Sequence, residues 1–259
     1  MTVRTIALPG DLTMTIDEYG TPTGGSGALV LHGGAGPRSV AGLANALSAD
    51  GYVVVPTHPG FDGTPRPEWI DSIPDLATAY LDLIDALGLT EVSVFGSSIG
   101  GWIATEMAVR DNRRALRELV LLGATGIEPT APLEIADPAK IGPVRTGELA
   151  FHNPALRLDP STLSDEQRAV MLANQQVQAL LAPGSFDPKL RGRLHRVGVP
   201  VLVLGGEQDG IVPLAYEREL ADSFPSATFR AIPNAAHFPH IEQPELVLTE
   251  IGKFRASAG

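Results

Sequence analysis

The sequence predicts an α/β protein: a mostly parallel, doubly wound sheet of about eight strands, carrying a helical insertion. Three observations predict it. Short runs that are apolar at every position, such as 28–31 and 119–122, alternate with amphipathic stretches of helical length, and strands of that kind belong in a parallel sheet covered on both faces. The run 92–95 passes almost directly into a helical spacing of Ile99, Trp102, Ile103 and Met107, so a strand meets a helix with very little loop. The alternation breaks once, between 125 and 190, and then resumes.

The elements follow in order. Residues 3–8 and 12–16 flank Pro9-Gly10-Asp11, a turn signal, and are expected to form a hairpin at a sheet edge. The strand 28–31 stops at His32-Gly33-Gly34-Ala35-Gly36-Pro37, and so many small residues point to a loop whose backbone approaches something closely. A helix over 40–47, a strand over 52–55 and a helix over 75–87 closed by Gly88 come next, the glycine suiting a helix C-terminus. Residues 125–190 are rich in proline and glycine at first, then offer Ser164 as an N-cap with Gln167 completing a capping box. An excursion this much longer than an ordinary connection is expected to be a lid over a site. The sheet resumes at 199–204, followed by a helix over 214–223, a strand over 227–232 and a last helix over 244–254. The division expected is a core of 1–124 and 191–259 with a helical cap of 125–190.

Composition narrows the function classes. At 259 residues the chain suits one α/β domain with an insertion, and 44% hydrophobic with 19% charged residues argues for a folded chain. Lys and Arg number 19 against 30 Asp and Glu, a net charge of −11, which repels a phosphate backbone and argues against a nucleic-acid partner. The absence of cysteine excludes disulfides and thiolate metal sites. The N-terminal residues lack the apolar core of a signal peptide, and no apolar run reaches membrane-spanning length. A cytoplasmic protein acting on a small molecule, away from membranes, is expected; nothing in the pattern specifies an oligomer.

The strand-to-helix junction reads Gly96-Ser97-Ser98-Ile99-Gly100, the G-x-S-x-G pattern that stands a serine on a sharp turn. Ser97 fails the same test, because Phe95 and Ile99 would flank it. A hydroxyl is a poor nucleophile at neutral pH, so Ser98 needs a base, the base needs a carboxylate, and a developing oxyanion needs donors. In an open α/β sheet these groups belong in loops that follow strands. Asp209 follows the strand 199–204 and His237 follows 227–232, and the chain order Ser98, Asp209, His237 is that of a nucleophile-elbow hydrolase. Glu207 and Glu128, each placed after a strand, are substitutes for Asp209, which beside Gly210 would otherwise read as a turn residue. A dinucleotide phosphate is the other ligand such a turn takes, but the turn sits on a late strand and lacks the required glycine spacing.

With these pieces in order, the chain resembles the α/β-hydrolase superfamily over essentially its whole length. The pieces are His32-Gly33-Gly34, Gly96-Ser97-Ser98-Ile99-Gly100-Gly101, Gly206-Glu207-Gln208-Asp209-Gly210-Ile211-Val212-Pro213 and Ala236-His237-Phe238-Pro239-His240-Ile241-Glu242-Gln243-Pro244. The resemblance implies Ser98 as nucleophile, His237 as general base and then acid, Asp209 as its orienting partner, and the N–H groups of Gly34 and Ile99 as the oxyanion hole. It implies neither cofactor nor metal. His32 is expected to brace the oxyanion loop, His240 to be structural, and His58, His152 and His195 to be surface or satisfied polar residues. Prolyl aminopeptidases with a similar loop usually show tryptophan at 99 and proline at 35, where this chain has Ile99 and Ala35. The reading that follows is a carboxylic-ester hydrolase for a small or medium, largely apolar substrate, with Met171, Val177 and Leu180 of the cap facing it. A hydrolase of carbon–carbon bonds in ring-fission products is the enzymatic alternative. A receptor that binds a small ligand on the same fold is the alternative from another class.

Overall fold

The computed structural model describes residues 1–22 and 24–258. Its strands are β1 (Thr2–Leu8), β2 (Leu12–Tyr19), β3 (Ser26–Leu31), β4 (Val53–Pro56), β5 (Glu91–Ser97), β6 (Leu116–Leu122), β7 (Gly126–Ile127), β8 (Phe186–Asp187), β9 (Val201–Gly206) and β10 (Ala227–Ile232). Eight of them make one sheet in the order β1-β2-β4-β3-β5-β6-β9-β10, and β7 pairs with β8 separately. The first two are an antiparallel hairpin with Gly10 and Asp11 at φ 73° and 56° in its turn, and β2 joins β4 antiparallel. From β4 to β10 the sheet is parallel.

Alternate residues of the central strands feed two cores. Leu29, Val94, Leu121 and Val203 enter one face, whereas Val30, Phe95, Val120 and Leu204 enter the other. That double burial is why the strands read as unbroken apolar runs. Among the helices, α1 (Ala41–Leu47) and α8 (Pro244–Ala258) cover one face, and α2 (Ile73–Ala86), α3 (Ile99–Arg110) and α6 (Leu214–Asp222) the other. The segment 125–190 leaves the sheet between β6 and β9 and carries α4 (Pro138–Ala150) and α5 (Asp165–Leu181); α7 (Pro239–Glu242) is a single turn. Ser164 and Gln167 form the expected capping box at the start of α5.

Most boundaries differ from the sequence reading by a few residues, and three differences have a visible cause or consequence. The helix expected from residue 40 begins at Ala41, after a 3-10 turn over Pro37–Val40. The helix α4 is interrupted by Gly142 (φ 79°) and Pro143, which erase the apolar period a sequence reading relies on. The last helix runs on past residue 254 to Ala258.

Central to the arrangement is α3, buried from Ile99 to Val109 with Thr105 and Glu106 included. The Thr105 hydroxyl donates to the Gly101 carbonyl at 2.8 Å, and the Glu106 carboxylate takes Arg110 and Arg193. Strand order reverses between β3 and β5, because the chain runs from β3 outward to β4 and then crosses back to β5. Crevices at the carboxyl ends of strands open at such reversals. Among the described residues no helix is long and apolar enough to cross a membrane.

A Cβ on Gly100 would run into the carbonyl oxygens of Leu31 and His32, which are backbone atoms unable to swing aside. Gly100→Ala is therefore expected to lower the unfolding free energy by about 1–3 kcal/mol. Urea unfolding measures it, and an unchanged midpoint would refute the tight contact between α3 and β3.

Candidate active site

Between β5 and α3 stands Ser98, with φ 55° and ψ −121°, a conformation that costs a residue with a side chain about 1–3 kcal/mol. Backbone bonds impose it: the Ser98 N–H donates to Leu122 O at 2.9 Å, and the Ser98 carbonyl accepts from Gly101 at 2.9 Å and Thr125 at 3.3 Å. Only small residues allow that crowding. A Cβ on Gly101 would sit 2.5 Å from the Ala124 Cβ, and one on Gly33 would sit 2.8 Å from the Ser98 Cβ. The loop after β3 thus lies directly against Ser98, as its run of small residues implied. Among the described residues, the N–H groups of Gly34 and Ile99 make no hydrogen bond to the backbone.

Asp209 and His237 are brought together at the ends of β9 and β10. One oxygen of Asp209, Oδ1, accepts from the N–H groups of Ile211 at 2.8 Å and Val212 at 2.9 Å. The other, Oδ2, lies 2.9 Å from His237 Nδ1. A carboxylate only accepts, so Nδ1 carries the proton and Nε2 is left as the free lone pair. Both side chains are almost wholly buried. Gly123, at φ 57° after β6, backs the imidazole: a Cβ there would fall 3.0 Å from Nδ1. Among the described residues no hydrogen bond joins Ser98 Oγ to His237; the two flank the end of β6, where Leu122 holds Ser98 and Gly123 abuts His237.

The remaining histidines sort as expected, each for a visible reason. His32 is fully buried; its Nδ1–H donates to Gly33 O at 2.7 Å, and its Nε2 accepts from the His58 N–H at 3.1 Å. His58 donates from Nε2 to His32 O at 2.8 Å, leaving Nδ1 to accept from the Tyr80 hydroxyl. The two rings stack at 3.6 Å. His240 donates from Nε2 to Ser39 O at 3.2 Å. Burial pushes His32 and His240 down to about 4 and His58 well below its ordinary value, so all three are neutral at pH 7. His152 and His195 lie on the surface. Glu207 and Glu128, the substitutes for Asp209, are exposed, and among the described residues neither pairs with His237.

The helix α5 covers the site with the face formed by Asn174, Val177, Gln178 and Leu181. Asn174 exchanges two 2.8 Å hydrogen bonds with Asp62, accepting from its N–H and donating to its carboxylate. Val177 meets Gly60, and the Gln178 amide rests on Gly34 so closely that a Cβ there would strike it. Leu149 meets Gly210, Phe151 stacks near Phe238 at 5.1 Å, and the Ala150 carbonyl accepts from the His237 N–H at 3.1 Å. One expectation fails: Leu180 is 46% exposed, since three positions beyond Val177 on this helix lies the edge that turns outward, and Met171 is only partly buried. Asp62, Asn174 and Gln178 were missed in the sequence. The available signal for Asn174 was an amide set in the apolar run Val170-Met171-Leu172-Ala173.

Comparison with known proteins agrees with this fold. The sequence model of the alpha/beta hydrolase family matches residues 28–250. The chain belongs to that family. A 2-hydroxymuconate semialdehyde hydrolase of Pseudomonas putida is 28% identical, over 89% of this chain and 87% of its own. A pimeloyl-[acyl-carrier protein] methyl ester esterase of Aromatoleum aromaticum is 29% identical, over 84% and 93%. Among solved structures, a meta-cleavage product hydrolase from Pseudomonas fluorescens superposes with a TM-score of 0.76 at 20% identity, over 99% of this chain and 98% of that one, which speaks for the fold.

Two outcomes test the site's construction. The unfolded chain protonates its histidines near 6.5 whereas folded His32 and His240 resist protonation down to about 4. The stability they contribute is complete above pH 6.5 and lost as pH falls from 6.5 towards 4, by about 3 kcal/mol for each of the two. Urea unfolding across that range should show this loss, and a flat profile would contradict buried neutral imidazoles. Asn174→Ala, which removes both hydrogen bonds to the solvent-exposed Asp62, is expected to cost about 1 kcal/mol and to speed limited proteolysis within 125–190.

Proposed function

We propose that this α/β hydrolase cleaves a carboxylic ester of a small or medium, largely apolar substrate through an acyl-enzyme. The observation that carries the reading is Ser98, held at φ 55° on the strand-to-helix turn, with His237, whose tautomer Asp209 sets at 2.9 Å, also meeting the end of β6. Ser98 Oγ attacks the acyl carbon while His237 Nε2 takes its proton. The carbonyl electron pair moves onto oxygen, where the N–H groups of Gly34 and Ile99 stabilise it. Collapse expels the alcohol, which takes the proton back from His237. Water then attacks the acyl-enzyme with His237 again as base, and collapse releases the acid and returns the proton to Ser98. Asp209 keeps the imidazolium oriented throughout. Residues 125–190 serve as the cap over the acyl group, so substrate entry requires α5 to lift from Gly34 and Gly60.

An uncharged acyl portion is favoured by the walls. Val177, Leu149, Phe151 and Phe238 are apolar and packed near the site, and the three arginines of 125–190 are engaged elsewhere. Arg145 pairs with Glu148, Arg168 with Asp165, and Arg157 donates to Phe151 O at 3.0 Å. The methyl ester esterase among the relatives is consistent with this chemistry. The second reading is a carbon–carbon hydrolase, supported by the relatives named for semialdehyde and dienedioate substrates. A dienoate brings a carboxylate into the site, and a buried carboxylate needs a cation or several donors.

Ser98→Ala is expected to reduce turnover of short-chain aryl esters by about 10³-fold or more, and an organophosphonate is expected to add its mass at Ser98. A panel of esters, lactones and vinylogous diketones decides between the two readings. Faster turnover of the diketones than of any ester would replace the first with the second. Binding without turnover of anything would leave a receptor.

A further inference from the structure

Glu217 is the fourth residue of α6 and wholly buried, yet the reaction above makes no use of it. Neither carboxyl oxygen has a hydrogen-bond partner, and among the described residues no arginine or lysine pairs with it. Its surroundings belong to the site. A Cβ on Gly205 would fall 2.8 Å from Glu217 Cδ, so the carboxyl group lies against the end of β9, whose loop carries Asp209. The backbone N–H groups of Ala124 and Gly123 after β6 approach it short of full hydrogen-bond geometry, and that of Gly123 donates instead to Leu204 O at 3.2 Å. Gly123 is the residue that backs the His237 imidazole. Asp209 is the ionisable group that faces Glu217, with His237 beyond it; the neighbouring Tyr216 is turned aside, donating its hydroxyl to Ile127 O at 2.8 Å. From β6 only backbone approaches.

An ionised carboxylate buried without a cation, beside a second ionised carboxylate, would cost several kcal/mol. Burial first, and then the Asp209 charge, push Glu217 well above the usual carboxylate range. A protonated carboxyl, by contrast, has one O–H to donate and one carbonyl to accept from the turn after β6.

We propose that Glu217 is a positioning residue for the Asp209–His237 pair: a neutral carboxylic acid wedged between the ends of β6 and β9, holding the turn behind His237 against the strand that leads to Asp209. The inference rests on reading Ser98, Asp209 and His237 as the catalytic groups. A neutral Glu217 leaves Asp209 as the single negative charge next to the imidazole, so the field that stabilises the imidazolium points along one hydrogen bond. Glutamine can reproduce this role, being neutral, polar and of the same shape. Leucine cannot, although it fills the volume.

The test measures the rate at which a fluorophosphonate labels Ser98 as a function of pH, in wild type, Glu217→Leu and Glu217→Gln, together with the infrared spectrum. Glu217→Leu is expected to slow labelling about tenfold and Glu217→Gln to recover it to within about twofold, with the wild-type pH midpoint, since a small misplacement of the base is enough for such a loss. The infrared difference between wild type and Glu217→Gln at neutral pH should show loss of a protonated carboxylic acid band. Carboxylate bands in that difference would overturn the proposal even if Glu217→Leu fails to fold. So would a midpoint displaced to lower pH in Glu217→Gln, which would mean a negative charge had been removed, or wild-type labelling by a folded Glu217→Leu. Should wild type itself escape labelling at Ser98, the catalytic reading falls, whereas the infrared result still reports whether Glu217 is protonated.

Discussion

Everything at the site depends on the near-zero clearance between the end of β5 and the start of α3. The helix begins one residue after Ser98, so its first turn is pressed against β3 through Gly100 and against the end of β6 through Gly101. No side chain fits in either contact. The backbone strain at Ser98, about 1–3 kcal/mol, persists because α3 is buried along almost its whole length and cannot shift without exposing apolar surface on every side. One over-determined turn thereby places Ser98 against the loop after β3 and beside the turn after β6.

Charge is distributed around that turn with economy. Three buried imidazoles, His32, His58 and His240, are neutral and spend their hydrogen bonds on carbonyls, an N–H and the Tyr80 hydroxyl. They are scaffolding for the loops after β3 and β4. Among the described residues His237 is the histidine that hydrogen-bonds a carboxylate, and that carboxylate accepts three hydrogen bonds. In a low-dielectric setting a lone pairing of this kind is felt strongly, because few competing charges screen it. The segment 125–190 is tied to the core by Asn174 and Asp62 and by the contact of the Ala150 carbonyl with the His237 N–H.

Local sequence carried some of these features and not others. The elbow was legible because a strand, two flanking glycines and a helix are all local signals, and the capping box of α5 was legible for the same reason. Asp209 was legible as a carboxylate after a strand, although only the fold separates it from Glu207 two residues earlier. The helix α4 was hidden by Gly142 and Pro143. The outward turn of Leu180 was hidden too, because α5 is apolar on more than one side, and period alone does not say which face meets the core. Glu217 reads in sequence as an ordinary charged residue of an amphipathic helix.

By itself the sequence determined the order of the core strands and helices outside 125–190, the sharp turn at Ser98 and the placing of Asp209 and His237 after strands, since each is set by contacts within a few residues along the chain. The tertiary structure alone decided which carboxylate meets His237, which histidines are neutral, that Asn174 and Gln178 reach the loops at Asp62 and Gly34, and that Glu217 lies beneath Asp209. Those pairings join residues as far apart in the chain as Gly34 and Gln178, and their energies depend on burial, which exists only once the sheet and its helices have closed around them.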